Sequence, residues 1–90
     1  MSVKVKIPSL LRQLTNGQEV VEVTAYSVIE CLDNLVVQFP GIRRWLYNKQ
    51  GQLFPFVYVF VNGETVSTDE LTNPLKDGDE LLLLIAIGGG

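Results

Sequence analysis

The sequence predicts an α+β fold, a mixed sheet packed on one main helix. Three observations predict it. Short β-patterned runs recur along the chain, a single run carries helical spacing, and the order is strand, strand, helix, strand, short strand, strand. One amphipathic helix needs a sheet to cover it, which gives two layers. Ninety residues make one domain. A chain of this size buries only about 60–65% of the surface its unfolded form exposes, so the core is modest.

Residues 3–7 alternate, with Val3, Val5 and Ile7 on one face and Lys4 and Lys6 on the other. Pro8 ends that strand, and residues 9–18 read as a connection with a turn at Asn16-Gly17. Residues 19–24 resume the alternation, Val21 and Val23 inward and Glu22 outward, so the two runs form a hairpin with a long loop. Ser27 and Glu30 have capping-box spacing. Val28, Leu32, Leu35, Val36 and Phe39 then follow a helical period until Pro40-Gly41 stops it. Residues 42–47 read as one irregular helical turn that sets Trp45 and Leu46 on the core, and 48–52 as a polar loop. Residues 56–61 are a strand rich in aromatic and β-branched side chains, and Asn62-Gly63 is a strong hairpin signal. Residues 64–66 return, 69–75 form a loop, 76–79 a tight turn, and 81–87 the last strand. The best match to this order is a β-grasp, residues 1–87, followed by a flexible glycine tail, residues 88–90.

Composition narrows function. Hydrophobic residues make up 47% of the chain and mean hydropathy is +0.24, which excludes disorder. Seven Lys+Arg against ten Asp+Glu leave no surplus of positive charge for nucleic acid. The longest apolar run, residues 81–87, is far short of the roughly 18 needed to span a membrane. With no secretory pattern at the start and an unpaired thiol, the expectation is a soluble cytoplasmic protein. There is no histidine, so the commonest general base and zinc ligand are missing, and one cysteine cannot build a multi-thiolate metal site. Cys31 sits in the helix beside its apolar face and reads as a packing residue rather than a nucleophile. Asp69, Glu70, Asp77, Asp79 and Glu80 read as solvated turn residues; residues 76–79 lack the ligands of a calcium loop. Trp45, Phe54, Phe56, Tyr58 and Phe60 read as core packing rather than a base-stacking platform, since no positive groove accompanies them.

Two features ask for more. If Val57, Val59 and Val61 pack on the helix, Tyr58 and Phe60 point away from it. By the same alternation Leu81, Leu83 and Ile85 face inward and Leu82 and Leu84 outward. A patch of Tyr58, Phe60, Leu82 and Leu84 then marks a partner-docking face, the alternative being a loop or the tail folded over it. The second feature is Gly88-Gly89-Gly90. Glycines directly after a strand make a narrow chain end that can enter a channel closed to other residues, and they deliver a carboxylate. A frayed end is the alternative.

The opening strand with "KIPSLLRQLTNGQ", "VYVFVNGE" at 57–64, "LKDGDELLLL" at 75–84 and "AIGGG" at 86–90 together resemble the ubiquitin-like sulfur-carrier family over the whole chain. The length, the "IPSLLR" start and the ending are most similar to its cysteine-biosynthesis branch. The small subunit of molybdopterin synthase and the thiamine sulfur carrier are the alternatives. Gly88 departs from the small non-glycine residue often found there. The resemblance implies a ubiquitin-like protein co-substrate, not an enzyme, with no bound cofactor and no metal. An adenylating activating enzyme would use ATP on the Gly90 carboxylate, and a sulfur donor would convert the adenylate to a thiocarboxylate. A client enzyme, a pyridoxal-phosphate sulfhydrylase in the cysteine case, would admit Gly88 and Gly89 and accept the sulfur. The acidic turns would add selectivity at the rim. The same tail also suits a ubiquitin-like modifier conjugated to lysines.

Overall fold

The computed structural model describes residues 1–86. Five strands form one mixed sheet: β1 (Ser2–Lys6), β2 (Val20–Thr24), β3 (Val57–Val61), β4 (Glu64–Val66) and β5 (Glu80–Ile85), in the order β2-β1-β5-β3-β4. Helix α1 (Val28–Gln38) covers one face, and a single-turn helix α2 (Arg43–Leu46) follows it. β1 and β5 run parallel at the centre and the other pairs are antiparallel.

Period-two alternation builds the core side. Val5 lies between Val21 and Leu81, and Leu81 faces Val61, so one row of aliphatic side chains crosses four strands. Val3, Val5, Leu81 and Leu83 are fully buried beneath Leu32 and Leu35 of α1. Four such side chains each remove roughly 1.5–3 kcal/mol worth of apolar surface from water. The α1 N-terminus is capped as its spacing predicts: Glu30 N donates to Ser27 Oγ at 3.2 Å. The glutamate reaches back one residue further than the usual box, its Oε1 accepting from Tyr26 N at 2.8 Å.

Both sheet edges are closed to further pairing. On β2 the outward carbonyls of Thr24 and Glu22 accept from Asn34 Nδ2 (2.6 Å) and Gln38 Nε2 (3.3 Å) of α1. On the other side β4 is only three residues long. Both are recognised ways of protecting an edge.

Several boundaries differ from the sequence reading. Residues 9–15 are a 3₁₀ helix within the connection, entered through Pro8, with Leu11 and Thr15 buried. The third strand starts at Val57; Phe56 instead stacks on Phe54, centroids 4.8 Å apart. Trp45 is only partly buried, while Leu46 and Tyr47 fill the core position. The last strand begins at Glu80, and its expected final residue, Ile87, lies outside the described residues. Asn62 and Gly63 both take positive φ (51° and 86°), as a tight two-residue hairpin of the primed type requires.

Candidate functional site

The outer face of the sheet is assembled by register. Tyr58 pairs with Leu84 and Phe60 with Leu82, on neighbouring antiparallel strands. The four expected docking residues therefore form one contiguous block. Tyr58 is 46% exposed, Leu84 45% and Leu82 38%, while Phe60 is half-buried. No described residue covers Tyr58, Leu82 or Leu84 enough to bury it. Val20 also points outward on β2 and is exposed, with Lys6 between it and Leu82. Val20 was missed in the sequence reading, although the alternation that put Val21 and Val23 inside puts Val20 outside. Lys6 Nζ lies 3.5 Å from Glu80 Oε1, so the lower margin of the block is a neutralised pair.

The route to the tail is fixed by β5. Its last pairing is Ile85 with Val57, and Ala86 N then donates to Phe56 O at 2.8 Å. Phe56 is held in turn by its stack on Phe54, and Phe54 N donates to Leu46 O at 2.9 Å. The two rings anchor the base of the tail, a role the sequence pattern did not show. Gly88, Gly89 and Gly90 lie outside the described residues.

The turn carboxylates are solvated, as the sequence predicts, and three of them, Glu70, Asp77 and Asp79, also accept hydrogen bonds. Asp77 Oδ1 accepts from Ser2 N at 2.8 Å. Asp79 Oδ1 accepts from Asn62 Nδ2 (3.0 Å) and Oδ2 from Lys76 N (2.8 Å), and these bonds hold the Asp79 carboxyl below its ordinary range. Together they tie the turn before β5 to the start of β1 and to the β3–β4 hairpin. Glu70 accepts from Ser67 N and Oγ at 3.0 Å, which likewise lowers its pKa. The Asp77–Asp79 turn also sits at the start of β5. The tail leaves the other end of that six-residue strand, roughly 20 Å away.

Cys31 is fully buried, and burial, with the nearby Glu30 charge, pushes its thiol up to about 12. A thiol that does not ionise is neither nucleophile nor metal ligand. Among the described residues no group of three Cys, Asp or Glu side chains could hold a metal ion, and no helix is long and apolar enough to cross a membrane. The face is apolar and, at Tyr58, Leu82 and Leu84, exposed. It brings together no acid, base and nucleophile of the kind a catalytic centre needs.

Comparison with known proteins agrees with this arrangement. A family model, that of the ThiS family, matches residues 5–90. The chain is 33% identical to the sulfur carrier protein CysO of Mycobacterium tuberculosis, an alignment that covers both chains completely. Among solved structures it is similar to the CysO complex with BexX from Amycolatopsis orientalis: 38% identity, TM-score 0.85, covering 98% of this chain and 99% of that one. It is also similar to SAMP1, a small archaeal modifier protein, from Haloferax volcanii: 28% identity, TM-score 0.88, all of both chains covered.

Proposed function

This chain belongs to the ThiS family of ubiquitin-like sulfur carriers, small protein co-substrates rather than catalysts, and on that premise we propose that the Gly90 carboxylate is the group it carries sulfur on. In this reading the carboxylate attacks the α-phosphorus of ATP on a partner enzyme, pyrophosphate leaves, and an acyl adenylate forms. A sulfide equivalent from the donor then attacks the acyl carbon, AMP leaves, and a thiocarboxylate remains. Splitting one transfer into two steps through a covalent carrier lowers each barrier. The client enzyme then receives the loaded tail, with Gly88 and Gly89 threading its channel.

The observation that carries the reading is the exit of the chain. The last described sheet bond is at Ala86, the sequence that follows it is Ile87-Gly88-Gly89-Gly90, and β5 also carries Leu82 and Leu84, which with Tyr58 are exposed among the described residues. That face would dock the activating enzyme and the client in turn. The likeness to CysO favours cysteine biosynthesis over molybdopterin or thiamine assembly as the pathway served. The CysO relative in complex with BexX supports docking to a protein partner.

A second reading, conjugation of the activated tail to lysines of target proteins, is favoured by the likeness to an archaeal modifier protein. Immunoblotting of the source cells separates the two: a ladder of adducts that resists reductant supports conjugation, and a single free band supports carriage. Deleting Gly89 and Gly90 tests the shared premise. Sulfur delivery should be lost with the circular dichroism spectrum and Tm unchanged. Delivery by the truncated protein would contradict the proposal.

A further inference from the structure

Charge is unevenly distributed along this acidic chain. Residues 34–63 contain Arg43, Arg44 and Lys49 and not one carboxylate, while all ten Asp and Glu lie outside that stretch. The fold gathers the three cations where α2 meets the following loop, exposed around one shallow depression that Tyr47 and Phe54 also line. Among the described residues no carboxylate lies within ion-pair distance of any of them, in contrast to Lys6 and Arg12, which are paired. Asp33 accepts from the Tyr47 hydroxyl at 3.3 Å, and Arg43 lies over the Tyr47 ring, 5.7 Å from its centroid.

The position of this patch is its most informative property. Phe54 lines the depression, stacks on Phe56, and Phe56 O accepts from Ala86 N. One ring stack therefore separates the unpaired cations from the base of the tail. The acids of the Asp77–Asp79 turn are at the opposite end of β5. A partner that takes in the tail must close over this end of the molecule.

Resting on the sulfur-carrier reading, we propose that Arg43, Arg44 and Lys49 form a second docking element, for a carboxylate-bearing protein surface at the mouth of the channel that receives the tail. Unpaired, exposed cations attract such a surface at a distance and raise the rate of encounter. The apolar face supplies contact area, and the patch sets which end of the molecule approaches first. Against an acidic mouth, the other, carboxylate-rich end is repelled, so a reversed approach is disfavoured.

The test uses the full chain with the adenylating enzyme of the same organism and ATP, following pyrophosphate release. Arg44→Glu with Lys49→Glu reverses two exposed charges that make no side-chain hydrogen bond or ion pair among the described residues, and a triple variant adds Arg43→Glu. The double variant should raise KM about tenfold with kcat within about twofold, and about 0.5 M salt should remove most of the difference, because screening shortens the reach of these charges to a few ångströms. Unchanged KM in both variants overturns the proposal while leaving sulfur carriage intact. So does a KM defect that persists at high salt. A wild-type dimer that the variants break in sedimentation assigns the patch to self-association and also overturns it. Absence of pyrophosphate release with the wild-type chain overturns the sulfur-carrier reading and the patch with it.

Discussion

Asp79 shows how one turn residue can hold three strands in place. Its two carboxylate oxygens accept from Asn62 Nδ2 and Lys76 N, and Glu80 N donates to Asn62 Oδ1 at 3.0 Å. An asparagine in its place has one acceptor oxygen and loses one of the two bonds. Asp79→Asn should therefore lower stability by about 1 kcal/mol at neutral pH. The sign of the pH dependence follows from the depressed pKa. The folded group titrates below the unfolded value of 3.8, so its contribution is complete above that value and disappears as pH falls through the folded one. Urea unfolding of both proteins at neutral pH and well below pH 3.8 should show a gap that narrows in acid. A gap of equal size at both values would mean that the carboxylate charge has no part in it. Cys31 has the reverse behaviour. Its thiol ionises near 9.0 when unfolded and near 12 when folded, so stability declines as pH rises through that window.

At the scale of the element, β5 presents two opposite faces on alternate residues. Leu81 and Leu83 are fully buried, and Leu82 and Leu84 are exposed. Leu84→Asp should leave Tm within a few degrees and weaken binding of the activating enzyme. Leu83→Asp buries an unpaired carboxylate beneath α1 and should unfold the domain, a cost of several kcal/mol against a total stability of about 5–15. Thermal denaturation of the pair, with binding measured on the folded variant, decides this; unfolding by Leu84→Asp would reverse the assignment of faces. The faces were legible in the sequence because a strand repeats every two residues, and a run such as Glu80–Ile85 can be placed with few alternatives. The 3₁₀ helix at 9–15 was not. Leu11 and Leu14 are three apart, which suits its period, but so short a run lacks the repeats that would separate it from a loop. The positions of the acids were read and their roles were not, because Asp77 and Asp79 meet Ser2 and Asn62 only after β1 and β3 flank β5.

For the molecule as a whole, the cationic patch is linked through Phe54 and Phe56 to the end of β5, and the apolar face runs along β3 and β5 away from that end. Exposed apolar residues occur elsewhere, and Val37 at 76% is more exposed than any member of the block, but it stands alone on α1. In the β3–β5 block the exposed Tyr58 and Leu84 are register partners. The aromatic anchor Phe54–Phe56 and the link it makes from the depression of Arg43, Arg44 and Lys49 to Ala86 could not be read from spacing, since they depend on the loop between α2 and β3 folding back onto the end of β5. In the proposed reading, the chemistry occurs inside partner proteins, which the chain docks with to deliver its end. The most direct measurement is the intact mass of the full chain after incubation with the activating enzyme, ATP and a sulfide source. The account predicts exchange of one oxygen for sulfur, localised by fragmentation to Gly90 and dependent on ATP. An unchanged mass at Gly90, with the enzyme shown to be active on another carrier, would contradict it.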